Sequence, residues 1–202
     1  AIVMAVAVQP DGREDRASHL PGVLILAYYF PPANFIGAAR PFRFAKYLRG
    51  LGYPVSVVTA DHAAFTPEWE GVLRRPGPAP PERKRKIATT LCAKVPRFLL
   101  PYNEQLPWVP HAVAAGAEMI ARHSPRIIYS TSPPLATHLA ALLLKWRFGL
   151  KWIADFRDPL VGNPCRTRKW ASSYDSFLER LMFSQADGLV TVTDVVTESW
   201  RK

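Results

Sequence analysis

The chain has 202 residues, of which 49% are hydrophobic and 21% are charged, and its formal net charge is +10. The hydrophobic content is too high for an intrinsically disordered chain, and no apolar run approaches the ~20 residues that a membrane-spanning helix needs. Cys92 and Cys165 are too few for a disulfide scaffold or a cysteine zinc site, so a reducing compartment is the simplest expectation. The length suits one α/β domain.

The first 21 residues predict a disordered leader that precedes the fold. Residues 1–8 are apolar, but the run is too short to span a membrane and lacks the basic start of a signal peptide. The polar stretch 9–19 follows. The chain does not begin with Met, as expected of a trimmed or partial sequence.

Hydrophobic patterns after residue 22 predict strands that alternate with helices. An apolar run closed by Pro31-Pro32 predicts a buried strand over 23–30, and a helical pattern from Gly37 to Gly52 leads to a strand over 54–59. Further elements are predicted over 109–123 (helix), 126–131 (strand), 135–146 (helix), 151–156 (strand), 174–186 (helix), 188–193 (strand) and from Asp194 (helix). The helix over 135–146 is expected to bury one stripe of large residues: Leu135, Leu139, Leu142, Leu143 and Trp146. This order predicts an α/β fold with a Rossmann-like, doubly wound parallel sheet.

Most of the positive charge lies in one segment, a basic insertion at about residues 74–100. It contains eight basic residues and a single acidic one, Glu82, which gives +7 of the total. A proline-rich connector over 74–82 is followed by four consecutive basic residues: Arg83, Lys84, Arg85 and Lys86. Apolar residues then recur every fourth position from Ile87, typical of a short helix on an anionic membrane surface. A solvated charge run on a connector fits the same sequence, whereas nucleic-acid binding lacks any recognition motif.

Candidate binding residues lie where the predicted strands end, because ligands of open parallel sheets bind beyond the carboxyl ends of the strands. Gly37 at a helix start leaves backbone N–H groups open to a phosphate, and Arg40 would add charge. A glycine that only relieves a tight turn would look the same. Ser132 and Thr193 are the other substrate-binding candidates. Neither a dinucleotide-binding nor a P-loop glycine pattern is present.

The segment after the fourth predicted strand carries the catalytic candidates Asp155, Arg157 and Asp158. Two carboxylates and a guanidinium at a strand end can bind sugar hydroxyls or hold a base. Alternatively, an internal Arg–Asp pair shapes the turn before Pro159. The histidines show no metal-ligand spacing, so no metal site is expected; this applies to His111, His123 and His138, which are expected to be surface or core residues.

Three segments of the chain resemble bacterial family-4-type glycosyltransferases of the GT-B fold, most closely the subgroup that builds O-antigen, capsule and exopolysaccharide. The first is YYFPPANFIGAARPFRFAKYLRGLGYPVSVVTA, which resembles the opening of the family's sequences. The second is PRIIYSTSPPLATHLAALLLKWRFGLKWIADFRDPL, and the third is ADGLVTVTDVVTESWRK. They occur in the family's order and cover roughly residues 23–202.

The resemblance implies two Rossmann-like domains that face each other across a cleft. Residues 22–202 would be the N-terminal, acceptor-side domain, and the donor-binding domain with its acidic E-x7-E-type motif is expected to be absent, which would leave the chain inactive alone. The implied reaction retains anomeric configuration and uses a nucleotide-sugar without a metal or other cofactor. Gly37 would lie near the donor phosphates, and Asp155, Arg157 and Asp158 would border the acceptor side. Arg157 stands where many family members carry His.

The resemblance also implies a lipid-linked or polysaccharide acceptor. A polyprenyl-diphosphate acceptor sits at the inner face of the cell membrane, so the chain is expected to be cytoplasmic and peripheral there, with the basic residues from Arg83 to Lys86 on anionic lipid. The alternative is a non-catalytic sugar- or acceptor-binding subunit that pairs with a separate donor-domain protein. Nucleic acid is not an expected partner.

Overall fold

The computed structural model describes residues 20–31, 36–60, 73–74, 105–161 and 171–192. Six strands lie in this part of the chain: β1 (Val23–Leu26), β2 (Val55–Val58), β3 (Leu73–Arg74), β4 (Ile127–Ser132), β5 (Lys151–Phe156) and β6 (Gly188–Thr191). They form one parallel sheet in the order β3-β2-β1-β4-β5-β6. The chain winds outward from β1 to one edge and then from β4 to the other, which confirms the predicted doubly wound sheet.

Four α-helices connect these strands in the described residues: α1 (Ala39–Gly50), α2 (Val109–His123), α3 (Ala136–Phe148) and α4 (Ala171–Gln185). Short 3-10 turns, Ile36–Ala38 and Leu106–Trp108, lead into α1 and α2. The predicted bounds of α2 and β5 are confirmed to the residue. No described helix is long and apolar enough to cross a membrane.

The sheet is covered on both faces. On one face α2, α3 and α4 pack over a core that includes Leu26, Ile128 and Trp152. On the other face α1 packs over Ile25 and Tyr129. A sheet that is buried on both sides explains why β1 and β2 read as continuous apolar runs, and it leaves the strand ends as the places where polar side chains collect.

The stripe predicted for α3 is correct at Leu135 and Leu142, which are buried, and wrong at two other positions. Leu143 and Trp146 are 44% and 57% exposed, whereas Ala140 and Ala141 are fully buried. Gly116 of α2 lies against the side chain of Leu144, so small residues allow the two helices to pack closely.

β3 is an addition to the predicted strands. Ser56 and Val57 of β2 pair with Leu73 and Arg74, so the insertion begins on a two-residue strand at the sheet edge. The rest of the basic insertion and the predicted leader before residue 20 lie outside the described residues.

Candidate functional site

Four segments of the chain meet at the carboxyl end of the sheet. Thr131 and Ser132 of β4 lie beside Asp155 and Phe156 of β5 in register. The 3-10 turn that contains Gly37 leads into α1 at the same end, because α1 runs back from the carboxyl end of β1 toward β2. Residues that are distant in sequence are therefore brought together where ligands of such sheets bind.

The side chain of Asp155 is fully buried, and its carboxylate accepts four hydrogen bonds. Arg40 donates two, from Nε at 2.9 Å and Nη2 at 3.0 Å. Tyr129 donates its hydroxyl at 2.7 Å and Thr131 donates its hydroxyl at 2.9 Å. The sequence left open an Arg–Asp pair internal to residues 155–158. In the described part of the chain Asp155 pairs instead with Arg40 of α1.

Burial and the charge of Asp155 shift the pKa values of two of its hydrogen-bond donors. Burial raises the pKa of Tyr129 well above its ordinary value, and the charge of Asp155 adds to this effect, so the hydroxyl stays a donor. Burial alone would lower the pKa of Arg40, but the hydrogen bond and charge of Asp155 raise it on balance. Phe44 stacks on Tyr129 with ring centroids 4.9 Å apart. Hydrogen bonds and ring contacts therefore hold these side chains in fixed positions under α1.

Arg157 is held by three carbonyl oxygens. Its Nε donates to Ser132 at 2.8 Å, Nη1 donates to Gly37 at 3.1 Å and Nη2 donates to Pro133 at 2.6 Å. No described carboxylate forms an ion pair with it. A guanidinium has five N–H donors, so one N–H on each Nη remains for a ligand. Burial lowers the pKa of Arg157, and the negative charges of Asp155 and Asp158 partly oppose this shift. An arginine side chain nevertheless remains cationic in a protein.

Gly37 is the residue that lets Arg157 approach the start of α1. A Cβ at this position would lie 2.8 Å from Nη1 and 3.1 Å from Nη2 of Arg157, closer than side chains tolerate. The sequence predicted a phosphate-binding glycine or a turn-relieving one. The structure adds a third reason for glycine here, which is the close approach of a guanidinium.

A second buried network lies on the opposite face of β4 and β5. Trp152 donates its indole N–H to the hydroxyl of Ser130 at 2.8 Å, and that hydroxyl lies 2.7 Å from Nδ1 of His138. Nε2 of His138 has no hydrogen-bond partner among the described residues. Burial, with the charge of Arg157, lowers the pKa of His138 to about 3. His138 is a neutral core residue.

The other predicted site residues divide into described and undescribed ones. Ser132 is buried, and its carbonyl oxygen holds Arg157; Asp158 is exposed. The predicted residues outside the described part are Thr193, Arg83, Lys84, Arg85 and Lys86. The described part contains no group of three potential metal ligands. Sequence reasoning missed Tyr129 and Thr131, although alternation along β4 places both on the face of Asp155.

The fold is that of one half of a GT-B glycosyltransferase. Sucrose-phosphate synthase from Thermosynechococcus elongatus is similar, with a TM-score of 0.61 at 14% identity, over 89% of this chain and 44% of that one. A second structure of that synthase gives a TM-score of 0.57 at 12% identity, over 90% of this chain and 81% of that one. The glycosyltransferase SnogD from Streptomyces nogalater gives 0.47 at 16% identity, over 86% and 43%. The chain thus spans less than half the length of the first synthase chain.

Residues 37–201 match the model of the glycosyl transferase 4-like domain, and the chain belongs to this family. The match includes Gly37, Asp155 and Arg157. Comparison with curated protein sequences finds no match.

Proposed function

We propose that this chain is the acceptor-side domain of a retaining glycosyltransferase. It would take part in moving a sugar from a nucleotide-sugar to a lipid-linked or polysaccharide acceptor of the cell envelope. Membership of the glycosyl transferase 4-like family supports the reaction class. The observation that carries the site is the Arg157 guanidinium, fixed by three carbonyl oxygens and not paired with a described carboxylate.

The chemistry of the proposed reaction requires such a cation. When a sugar leaves a nucleotide-sugar, negative charge develops on the departing diphosphate, and fixed donors stabilise that charge most effectively because they need no reorganisation. A guanidinium binds phosphate oxygens with two parallel N–H groups. The diphosphate of a lipid-linked acceptor presents the same chemistry. Arg157, held beside Gly37, is therefore placed in this proposal as the diphosphate contact.

The remaining predicted residues have narrower roles in the proposal. Asp158, exposed and next to Arg157, would bind an acceptor hydroxyl. Ser132 and Thr193 stay substrate-binding predictions. A donor-binding domain, supplied in cis or in trans, would hold the nucleotide, so the 202-residue chain alone would not transfer sugar.

The test is calorimetric titration of the chain with inorganic pyrophosphate at neutral pH. We expect saturable binding that Arg157→Gln weakens about tenfold or more, since a charge-assisted bidentate contact is lost. Arg43→Gln is the matched control, because Arg43 is an exposed arginine of α1 and its loss changes the net charge equally. Equal binding by wild type and Arg157→Gln would contradict the proposal.

A further inference from the structure

We infer that Asp155 is a positioning residue. Together with Arg40, it serves ligand binding by holding the start of α1 in the place where Gly37 can anchor Arg157. The sequence suggested that Asp155 is catalytic and that Arg40 binds substrate, and the structure favours another role for both. The inference rests on the proposed function of Arg157 as the anion contact.

Asp155 is shielded from a substrate by its own hydrogen-bond partners. Its side chain is fully buried, and its oxygens accept hydrogen bonds from Arg40, Tyr129 and Thr131. Arg40 donates both Nε–H and Nη2–H to this carboxylate. A buried carboxylate that accepts four hydrogen bonds is therefore suited to fixing its donors in space.

The ion pair between Arg40 and Asp155 connects the start of α1 to β5. Arg40 is the second residue of α1, and Asp155 lies in β5, 115 positions further along the chain. The start of α1 has no side-chain capping hydrogen bond. The pair therefore supplies the polar contact that fixes the first turn of α1 to the sheet.

The position of the first turn of α1 also determines one of the hydrogen bonds that hold Arg157. Gly37 lies three residues before Arg40, and its carbonyl oxygen accepts from Nη1 of Arg157. A shift of the first turn of α1 would move this oxygen and release one of the three anchors of the guanidinium. Displacements of about 1 Å are enough to cost binding or catalysis strongly.

A simple charge effect makes the opposite prediction, so the two explanations can be separated. Asp155 is a negative charge that acts on Arg157. If its charge were all that mattered, Asp155→Asn would strengthen the binding of an anion, and Arg40→Lys would leave binding unchanged. If Asp155 positions the site, both substitutions weaken binding, because Lys cannot reproduce the two-pronged contact of Arg40.

The experiment measures two quantities in each variant: pyrophosphate affinity by calorimetry, and the position of the Arg157 Nε–H signal in the NMR spectrum of the full 202-residue chain. We expect Arg40→Lys and Asp155→Asn to weaken binding about tenfold or more and to shift the Arg157 signal. Arg43→Lys is the matched control: it makes the same substitution at an exposed arginine of α1 that lies outside the Asp155 cluster, so affinity should stay within about twofold.

Unchanged or tighter binding in Arg40→Lys, with an unmoved Arg157 signal, would overturn the inference. The same result in Asp155→Asn would do so as well, and if that variant does not fold, Arg40→Lys decides. If wild type and Arg157→Gln bind pyrophosphate equally, the proposed function fails by itself. The Arg157 signal in Arg40→Lys still tests the positioning in that case.

Discussion

At the scale of single residues, the polar side chains at the carboxyl end of the sheet fall into two groups. Asp155 and Arg40 use their charges on each other. Arg157 donates to three carbonyl oxygens and forms no ion pair with a described residue, and two of its N–H groups have no acceptor in the described part of the chain. In the proposed function, Asp155 and Arg40 shape the site and Arg157 contacts the ligand.

Gly37 provides a direct test of that division. Gly37→Ala would place a methyl group 2.8 Å from Nη1 of Arg157, which forces the guanidinium away from its anchor. We expect pyrophosphate affinity to fall about tenfold, measured by calorimetry. Gly50→Ala is the control, since a Cβ there meets nothing within 4 Å. Wild-type affinity in Gly37→Ala would show that the close approach is unimportant.

His138 gives a prediction for pH. In the unfolded chain a histidine takes up a proton near pH 6.5, whereas in the folded protein burial lowers the pKa of His138 to about 3. Between these values the unfolded state binds the extra proton, so the stability that neutral His138 provides above pH 6.5 is lost progressively as the pH falls. The loss from this residue should approach about 1.4 kcal/mol per pH unit.

Urea unfolding between pH 7.5 and pH 5 measures this effect. His138→Gln stays neutral and should lack the contribution, so the difference in unfolding free energy between wild type and variant should shrink or reverse on acidification. Parallel curves for the two proteins would mean that His138 is not held neutral by the fold.

The sequence was sufficient to locate Asp155 and Arg157 at a strand end, because position in a parallel sheet follows from the order of elements. It was insufficient to choose the partner of Asp155. In an extended chain Arg157 lies two residues away on the same side as Asp155, yet Arg40 makes the ion pair from a position 115 residues distant. That choice depends on how far each side chain reaches across α1 and β5, which local spacing does not encode.

At the scale of elements, α2 and α3 pack at very close range. A Cβ at Gly116 would lie 2.5 Å from Cδ1 of the buried Leu144. We expect Gly116→Ala to lower the free energy of unfolding by roughly 1–3 kcal/mol, because an added methyl group overpacks a filled interface. Urea titration measures the change, and Gly50→Ala, with open space around it, should be neutral or slightly stabilising. A stable Gly116→Ala variant would mean that Leu144 relaxes freely.

The burial of each element explains how well the sequence predicted it. Strands buried on both faces produce continuous apolar runs, and β1 and β2 were predicted from such runs. Leu143 and Trp146 of α3 were wrongly predicted to be buried because alanines, which carry little hydrophobic signal, face the core there. β3 was missed because two residues carry no periodicity.

At the scale of the whole molecule, the basic insertion predicts attachment to an anionic membrane. Each basic residue near such a surface contributes about 1 kcal/mol, and Arg83, Lys84, Arg85 and Lys86 are consecutive. We expect the chain to sediment with phosphatidylglycerol vesicles and to be released by salt. Replacing the four residues with Gln should abolish most of this binding. Equal sedimentation with neutral phosphatidylcholine vesicles would contradict an electrostatic attachment.

The fold class followed from the alternation of strands and helices, and family membership agrees with it. In the proposed function, Arg157 is the cation that contacts a diphosphate.

Titration of wild type and Arg157→Gln with three ligands tests this claim most directly: inorganic pyrophosphate, a nucleoside diphosphate and a short polyprenyl diphosphate. We predict that wild type binds pyrophosphate and at least one of the other two. Tighter polyprenyl diphosphate binding would identify the acceptor, and tighter nucleoside diphosphate binding would identify the donor. In either case Arg157→Gln should weaken binding about tenfold or more. No binding by wild type, or equal binding by Arg157→Gln, would contradict the account.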